Sequence, residues 1–319
     1  MGEKKLIIAD SHIHLSHRSF ENSFPFLAYD GERFTLEEGT RDELIDRMKE
    51  SGIRFCIEPG IDLSSNTRVL MLADRYPGFI FPAVGIHPTR TWQYSETDPE
   101  GRRITKRLRW RSRTELAERS KNRRVTAIGE TGLDYHLPRR EQHRMRQILW
   151  FIWQLRLAHK RKLPVILHIR QADRHALLIL RLHRRILHGG VCHCFSGTPD
   201  QARAYTALGL KLGIGASLLY EGDTGRNLKN VIRQTPLENV ILETDGPYVK
   251  PPCPDIPGKR RKRARNTSLI LPAVAERIAQ LKGIGAEEVA AITTANAAEL
   301  FGVPGDADVW PTKKDREGL

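Results

Sequence analysis

The sequence Asp-Ser-His-Ile-His at residues 10–14 directly follows a short apolar run at residues 6–9. In an extended segment, side chains spaced i and i+2 lie on the same face, so both imidazoles can reach a single metal ion. The same arrangement, a strand-like run that ends in polar side chains, recurs further along the chain. This recurrence indicates the fold class.

Eight short apolar runs alternate with longer amphipathic segments. We predict strands at residues 6–9, 55–58, 80–85, 125–129, 165–167, 190–192, 210–213 and 240–242. Helices are predicted at residues 41–50, 141–162, 271–281 and 286–300, and another is expected to begin at Thr198-Pro199. This alternation is typical of a parallel α/β architecture, and eight repeats in about 300 residues fit a (β/α)8 TIM barrel. A doubly wound sheet is the alternative.

Length and composition set the domain organisation. The chain has 319 residues, 39% of them hydrophobic and 28% charged, which excludes wholesale disorder. We expect a single barrel domain over residues 1–305 and a polar C-terminal tail at residues 306–319. The segment 16–39 is expected to be a loop.

Composition also bears on the cellular location. No apolar run approaches the roughly 20 residues that a membrane span requires, so no membrane partner is expected. The four cysteines form neither a CxxC pair nor a disulfide-like framework, which favours a reducing cytoplasm. No obligate protein partner is evident.

The positive charge is concentrated in two segments. The chain has 52 basic and 38 acidic side chains, a formal net charge of +14. Segment 102–124 contains eleven basic and two acidic residues, and six of the seven residues in segment 259–265 are basic. Two basic patches on an otherwise neutral body suggest an anionic partner, although solvated surface is an equally good explanation from sequence alone.

Residues suited to metal chemistry follow five of the predicted strands. They are His12, His14, Glu130, His168, His193 and Asp245. A lone His-x-His pair is weak evidence, and each carboxylate could merely occupy a turn. Six such residues at strand ends are more than one open tetrahedral zinc site needs, and they fit two ions roughly 3.5–4 Å apart that share a carboxylate.

Seven motifs, taken in order, resemble those of the TatD-type metal-dependent deoxyribonucleases, a branch of the amidohydrolase-like TIM-barrel hydrolases. The motifs are Asp-Ser-His-Ile-His-Leu at 10–15, Val-Gly-Ile-His-Pro at 84–88, Ala-Ile-Gly-Glu-Thr-Gly-Leu-Asp-Tyr at 127–135, Leu-Pro-Val-Ile-Leu-His-Ile-Arg at 163–170, His-Cys-Phe-Ser-Gly at 193–197, Leu-Glu-Thr-Asp-Gly-Pro at 242–247 and Arg-Asn at 265–266. The resemblance covers residues 6–303, nearly the whole chain.

The resemblance implies a role for each site residue. His12, His14 and Asp245 would hold one divalent ion, His168 and His193 the other, and Glu130 would bridge the two. The ions would be Mg²⁺, Mn²⁺ or Zn²⁺. Asp245 would also accept the proton of the nucleophilic water. The substrate contacts would be His87, Arg170 and Arg265, since arginine's forked donors suit phosphate oxygens.

The leading functional hypothesis is therefore a two-metal phosphodiesterase that acts on DNA, as an exonuclease or on single-stranded ends. Basic segments at the mouth of the barrel would attract the phosphate backbone. One alternative is a hydrolase of the same fold that acts on a small amide, lactone or ester. Another is a nucleic-acid-binding protein without catalytic activity.

Overall fold

The computed structural model describes residues 5–94, 106–136 and 140–304. The predicted tail at residues 306–319 and residues 102–105 of the first basic segment lie outside the described residues. The strands are β1 (Ile8–Asp10), β2 (Phe24–Tyr29), β3 (Phe34–Gly39), β4 (Ile53–Pro59), β5 (Ile80–Val84), β6 (Ala127–Asp134), β7 (Val165–Arg170), β8 (Gly190–Cys192), β9 (Leu210–Ile214) and β10 (Val240–Leu242).

Helices connect the strands. They are α1 (Arg41–Glu50), α2 (Leu63–Arg75), α3 (Lys106–Arg119), α4 (Arg140–Arg161), α5 (Asp173–Leu182), α6 (Pro199–Thr206), α7 (Asp223–Gln234), α8 (Gly258–Arg263), α9 (Leu271–Lys282) and α10 (Ala286–Phe301). Thr198 caps α6 through a reciprocal capping box, and Pro199 occupies its first turn, so the predicted start of this helix is confirmed. In the described part of the chain, no helix is both long and apolar enough to cross a membrane.

Eight strands form one parallel sheet in the order β1-β4-β5-β6-β7-β8-β9-β10. The two outer strands meet at their carboxyl ends, where the Ser11 backbone N–H donates to the Leu242 carbonyl at 2.9 Å. Ile13 forms a parallel bridge with Gly246 at the same seam. The sheet therefore closes into a nearly complete (β/α)8 barrel, as predicted, and the doubly wound alternative is excluded.

Alternation along the strands directs the site residues into the mouth of the barrel. Seven strands contribute to a buried apolar cluster that includes Ile166 on β7 and Val191 on β8, and Phe301 of α10 packs against it. Because side chains two residues apart share a face, His168 and His193 point to the same side as these apolar residues. The apolar side chains fill the barrel, and the polar ones lie above them at its carboxyl end.

The loop prediction for segment 16–39 is wrong, because most of this segment folds as the antiparallel hairpin β2–β3. The buried side chains of Phe24 and Phe26 alternate along β2, a pattern too short to stand out in the sequence. The hairpin docks on the chain that follows β10. The Leu27 N–H donates to the Arg265 carbonyl at 2.9 Å, and the Arg265 N–H donates to the Pro25 carbonyl at 2.8 Å.

Candidate metal centre

One half of the centre is built from the chain that follows β1 and β10. The Nε2 atoms of His12 and His14 are 3.2 Å apart. Asp245 Oδ1 lies 3.8 Å from the first of these atoms and 3.5 Å from the second. Glu130 Oε2, on β6, lies 3.6 Å from both. Two nitrogens and two carboxylate oxygens thus converge on one small volume.

The other half is built from β7 and the end of β8. His168 Nδ1 and His193 Nε2 are 3.1 Å apart. Glu130 Oε1 lies 3.1 Å from the former atom and 2.8 Å from the latter. Glu130 therefore directs one carboxylate oxygen toward each half of the cluster.

Hydrogen bonds fix which nitrogen faces the cluster in two of the rings, His14 and His168. His14 Nδ1 lies 3.2 Å from the Pro59 carbonyl oxygen, so Nδ1 is the donor in this contact and Nε2 is the nitrogen directed at the cluster. His168 Nε2 lies 3.1 Å from Asp134 Oδ2, which leaves Nδ1 toward Glu130. Partners of this kind orient metal-binding imidazoles and raise their basicity.

Buried Asp10 ties the loop after β1 to the loop after β10. Its carboxylate accepts hydrogen bonds from the His12 backbone N–H at 3.1 Å, the Thr244 hydroxyl at 2.6 Å and the Ser268 hydroxyl at 2.7 Å. Burial outweighs these hydrogen bonds and raises the pKa of Asp10 to about 7. These hydrogen bonds hold the His-x-His segment against the end of the neighbouring strand β10.

The electrostatics favour ionised carboxylates at the centre. Burial opposes the ionisation of Glu130, but the imidazoles of His193, His87 and His12 outweigh it and hold the pKa of this carboxyl well below its usual range. The Asp245 carboxyl is similar. Burial opposes its ionisation, but the His14 and His193 imidazoles outweigh burial and lower the pKa of Asp245. Both carboxylates are therefore ionised at neutral pH and available as ligands.

His87 also faces the cluster, but in a different protonation form. Its Nδ1 accepts a hydrogen bond from the Thr89 backbone N–H at 3.1 Å, so the proton of the neutral ring is on Nε2, which lies 3.5 Å from Glu130 Oε1. Burial and the nearby His168 ring lower the pKa of His87 to about 4, which keeps the ring neutral. This side chain offers a hydrogen-bond donor rather than a lone pair.

The centre forms the floor of a cavity of about 270 Å³. Several residues that line this cavity had no role assigned from the sequence, and the aromatic or cationic ones among them are His17, Arg68, Arg90 and Tyr248. The His17 ring donates toward the Tyr248 hydroxyl at 3.3 Å, because its Nδ1 accepts the Ser19 N–H at 3.1 Å. His17 does not lie at a strand end, and the two arginines come from connections after β4 and β5, so the strand-end pattern indicates none of them.

Arg170 and Arg265, which the resemblance implied as phosphate contacts, are not among the described residues that line this cavity. Arg170 is exposed at the end of β7. The Arg265 guanidinium donates through Nε to the Ser19 carbonyl at 3.2 Å and through another nitrogen to the Arg263 carbonyl. Its donors are thus engaged with the backbone near the hairpin.

The two basic segments differ in their surroundings. The described part of segment 102–124 forms α3 on the outside of the barrel and the connection after it. There Lys121 pairs with Glu118 at 2.6 Å, and Arg124 pairs with Asp74. None of the described residues of this segment lines the cavity. Segment 259–265, by contrast, lies in the loop after β10, at the catalytic end of the barrel.

The residues at the centre suit divalent metal ions. Three groups of ligand atoms, each within 4.8 Å of one another, could hold an ion. They are His12, His14 and Asp245; His12, Glu130 and His193; and His87, Glu130 and His168, the last of which could bind an ion only if His87 gave up the proton on Nε2. Two pairs of imidazole nitrogens face each other near 3 Å, and such pairs favour a shared cation over a direct contact. Nitrogen and carboxylate ligands of this kind suit Zn²⁺, Mn²⁺ or other transition metals.

A closed parallel barrel with imidazoles and carboxylates gathered at the carboxyl ends of its strands defines a TIM-barrel hydrolase of the metal-dependent class. A family model described as TatD related DNase matches residues 9–302. The chain therefore belongs to the TatD-related DNase family. The sequence resemblance is confirmed, and with it the prediction of an enzyme that hydrolyses ester bonds.

Individual relatives agree with this assignment. The 3′-5′ ssDNA/RNA exonuclease TatD of Edwardsiella piscicida is 32% identical over 263 residues, which cover 82% of this chain and 94% of that protein. An uncharacterized metal-dependent hydrolase of Bacillus subtilis, YabD, is 29% identical over 92% of this chain and 99% of its own. The crystal structure of the TatD homolog YJJV from Escherichia coli superposes with a TM-score of 0.72, at 27% identity, over 93% of this chain and 98% of that one.

Proposed function

We propose that this protein is a deoxyribonuclease that uses two divalent metal ions to hydrolyse phosphodiester bonds at the ends of single DNA strands. The observation that carries the proposal is the position of Glu130, whose two oxygens face two separate groups of imidazoles. A relative that is 32% identical is named as a single-strand exonuclease, which supports the substrate class.

In this proposal His12, His14 and Asp245 would hold one ion, His168 and His193 would hold the other, and Glu130 would contribute to both sites. Mg²⁺, Mn²⁺ and Zn²⁺ are the candidate ions. When bound, such ions would polarise a phosphoryl oxygen and lower the pKa of a metal-bound water molecule to roughly 7. The hydrogen bonds that His168 donates to Asp134 and His14 donates to Pro59 keep the ligand nitrogens oriented before any ion arrives.

Two side chains take part in this mechanism, one as a proton acceptor and one as a hydrogen-bond donor. The Asp245 carboxylate is ionised and lines the cavity above the centre, so in this proposal it is the group that accepts the proton of the attacking water. His87 donates its Nε2 hydrogen to a phosphate oxygen, since the Thr89 backbone holds the opposite nitrogen as an acceptor. Donors placed where negative charge develops stabilise the transition state.

The dimensions of the cavity favour a strand end over a duplex. A cavity of about 270 Å³ is at the lower limit of the pockets that hold small ligands, so it fits a terminal nucleotide better than a base-paired segment. Tyr248, which is 49% exposed at the rim, offers a ring on which an unpaired base can stack. The cytoplasmic location expected from the free cysteines stays a prediction.

The test combines metal analysis of the purified protein with nuclease assays on single strands blocked at the 5′ or the 3′ end. We expect two metal equivalents, and we expect cleavage that one of the two blocks abolishes. Glu130→Gln should lower both the metal content and the activity, while exposed Glu287→Gln should leave both unchanged. Hydrolysis of amides, lactones or esters without cleavage of any DNA would favour the small-substrate alternative.

A further inference from the structure

A second cavity, of about 260 Å³, opens on the same end of the barrel. The residues that line it are Tyr220, Lys250, Pro251, Pro252, Arg261 and Lys262. They come from the connections that follow β9 and β10, so they share the catalytic face with the metal centre. Three of the six side chains are cationic and none is acidic, a composition that points to an anionic ligand.

The backbone of this cavity is held in place by hydrogen bonds. Lys250 Nζ donates to the carbonyls of Arg261 at 3.0 Å and Lys262 at 2.9 Å, near the end of α8. The Tyr220 hydroxyl donates to the Lys250 carbonyl at 3.0 Å, and Arg261 donates to the Cys253 carbonyl at 3.2 Å. These hydrogen bonds hold the basic helix α8 against the loop after β10.

The cations of this cavity, Lys250, Arg261 and Lys262, form no ion pairs with acidic side chains among the residues that the structure describes. The cations near α3, in contrast, are paired. Partial burial, together with the nearby guanidiniums of Arg265 and Arg261, lowers the pKa of Lys250. An anion bound here would relieve this repulsion between like charges.

The two cavities are adjacent along one loop. Tyr248 lines the cavity over the metal centre, and Lys250, two residues later, lines the second cavity. Two residues of chain span at most about 7 Å, so the second cavity begins within a few nucleotides of the first along an extended strand. Tyr248 is the residue of this loop that lines the first cavity, and its side chain is half exposed.

We propose that the second cavity is a backbone-phosphate subsite that holds the part of the nucleic-acid strand extending away from the cleaved end, through Arg261 and Lys262. This inference rests on the proposed function, since it names how the same substrate is held beyond the reacting phosphate. The subsite contributes affinity for longer strands and takes no part in the hydrolysis itself.

The test uses the double variant Arg261→Gln/Lys262→Gln. The matched control is Lys259→Gln/Arg260→Gln, which removes the same charge from the same exposed helix but lies outside the cavity lining. Binding of phosphorothioate single strands of about twelve nucleotides is measured by fluorescence anisotropy over a range of salt concentrations. Hydrolysis of a dinucleotide is measured in parallel with the metal-loaded enzymes.

For the double variant we expect the Kd for the long strand to rise about tenfold, which is the effect of removing a charge-assisted hydrogen bond. The salt dependence of log K should fall by about one unit for each phosphate that the variant no longer binds. Dinucleotide hydrolysis should be unchanged, because a dinucleotide does not reach the second cavity. The control should bind the long strand with nearly the wild-type Kd.

Equal losses of affinity in the two double variants would overturn the proposal, because they would indicate a diffuse charge effect. Loss of dinucleotide hydrolysis in the cavity variant alone would overturn it too, because the residues would then act at the reacting phosphate. The outcome for the proposed function is separate. If the wild-type enzyme cleaves no DNA, the proposed function fails, while the binding measurements still decide whether the subsite exists.

Discussion

Asp134 Oδ2 lies 3.1 Å from His168 Nε2, on the side of the ring that faces away from Glu130. The carboxylate is buried, and it also accepts the His136 backbone N–H at 2.9 Å. Burial opposes its ionisation, but the hydrogen bond from His168 outweighs it, so the pKa of Asp134 is lowered. This residue thus fixes the orientation of an imidazole that belongs to the metal centre.

Replacement of Asp134 should weaken metal binding without removing a ligand. We expect Asp134→Ala to lower metal affinity by about 10- to 100-fold, the usual effect of losing such a partner. Asp134→Asn should retain part of the affinity, because its amide oxygen still accepts the Nε2 hydrogen. Calorimetric titration of metal-free protein with Mn²⁺ measures this order, and exposed Asp200→Ala is the matched control. Wild-type affinity in Asp134→Ala would exclude the positioning role.

His87→Ala should separate catalysis from metal binding. Because Thr89 holds His87 Nδ1 as an acceptor, the ring presents a proton to the cavity rather than a lone pair. We therefore expect the variant to keep the full metal content while kcat falls by roughly 10²–10³-fold, as when one transition-state donor is removed. Metal analysis and kcat are measured on the same preparation. A loss of one metal equivalent would instead identify His87 as a ligand.

The sequence was sufficient for the barrel because each strand is short, apolar and bounded by residues that end it. The predicted strand 190–192 coincides with β8, whereas the predicted strand 125–129 ends five residues before the end of β6. Gly129 and Gly132 interrupt the apolar run there, and the strand continues beyond them because β7 pairs with it from Thr131 to Asp134.

The sequence does not identify side chains whose role depends on which residues come together in the folded chain. Asp134 lies on β6 with Glu130 but beyond the end of the predicted strand, and nothing in the sequence identified His168 as its partner. Arg68 and Arg90 reach the cavity from a helix and a loop that pack together only in the folded barrel. The hairpin formed by β2 and β3 was missed because its apolar alternation is short.

Asp62 caps α2, the helix that carries Ser65 and Arg68 to the cavity. Its Oδ1 accepts the Ser65 N–H at 2.7 Å and the Ser64 hydroxyl at 2.8 Å. We expect Asp62→Ala to lower the free energy of unfolding by about 1 kcal/mol at neutral pH. Asp62→Asn should lose little, because asparagine caps helices equally well.

The pH dependence of this effect follows from the pKa of Asp62. Burial opposes ionisation, but the hydrogen bonds from Ser65 and Ser64 outweigh it and lower the pKa. The folded pKa is below the unfolded value, so the stabilisation is complete above the unfolded pKa of roughly 3.9 and is lost as pH falls through the folded pKa. Urea unfolding at several pH values should show the difference between wild type and Asp62→Ala shrinking below this point. A constant difference would contradict the contribution of charge.

The two arginines that line the cavity and the two that the resemblance implied as phosphate contacts lead to opposite expectations. Arg68 and Arg90 line the cavity above the metal centre, whereas Arg170 is exposed outside the cavity lining and Arg265 is bonded to the Ser19 carbonyl. We expect Arg90→Gln to raise the KM for single-stranded DNA by about tenfold, since a charge-assisted hydrogen bond to phosphate is removed. Arg170→Gln, an identical change outside the cavity, should leave KM within about twofold.

Arg265→Gln should act on stability instead, because the hydrogen bond that it removes joins the chain after β10 to the segment before the hairpin. We expect a lower free energy of unfolding, by about 1 kcal/mol for one net hydrogen bond, with KM unchanged in the folded fraction. Steady-state kinetics and urea unfolding on all three variants separate the two roles. A raised KM in Arg170→Gln or Arg265→Gln, with none in Arg90→Gln, would restore the phosphate-binding roles that the family resemblance implied. It would also require the DNA strand to approach the metal centre past the end of β7 or past the β2–β3 hairpin.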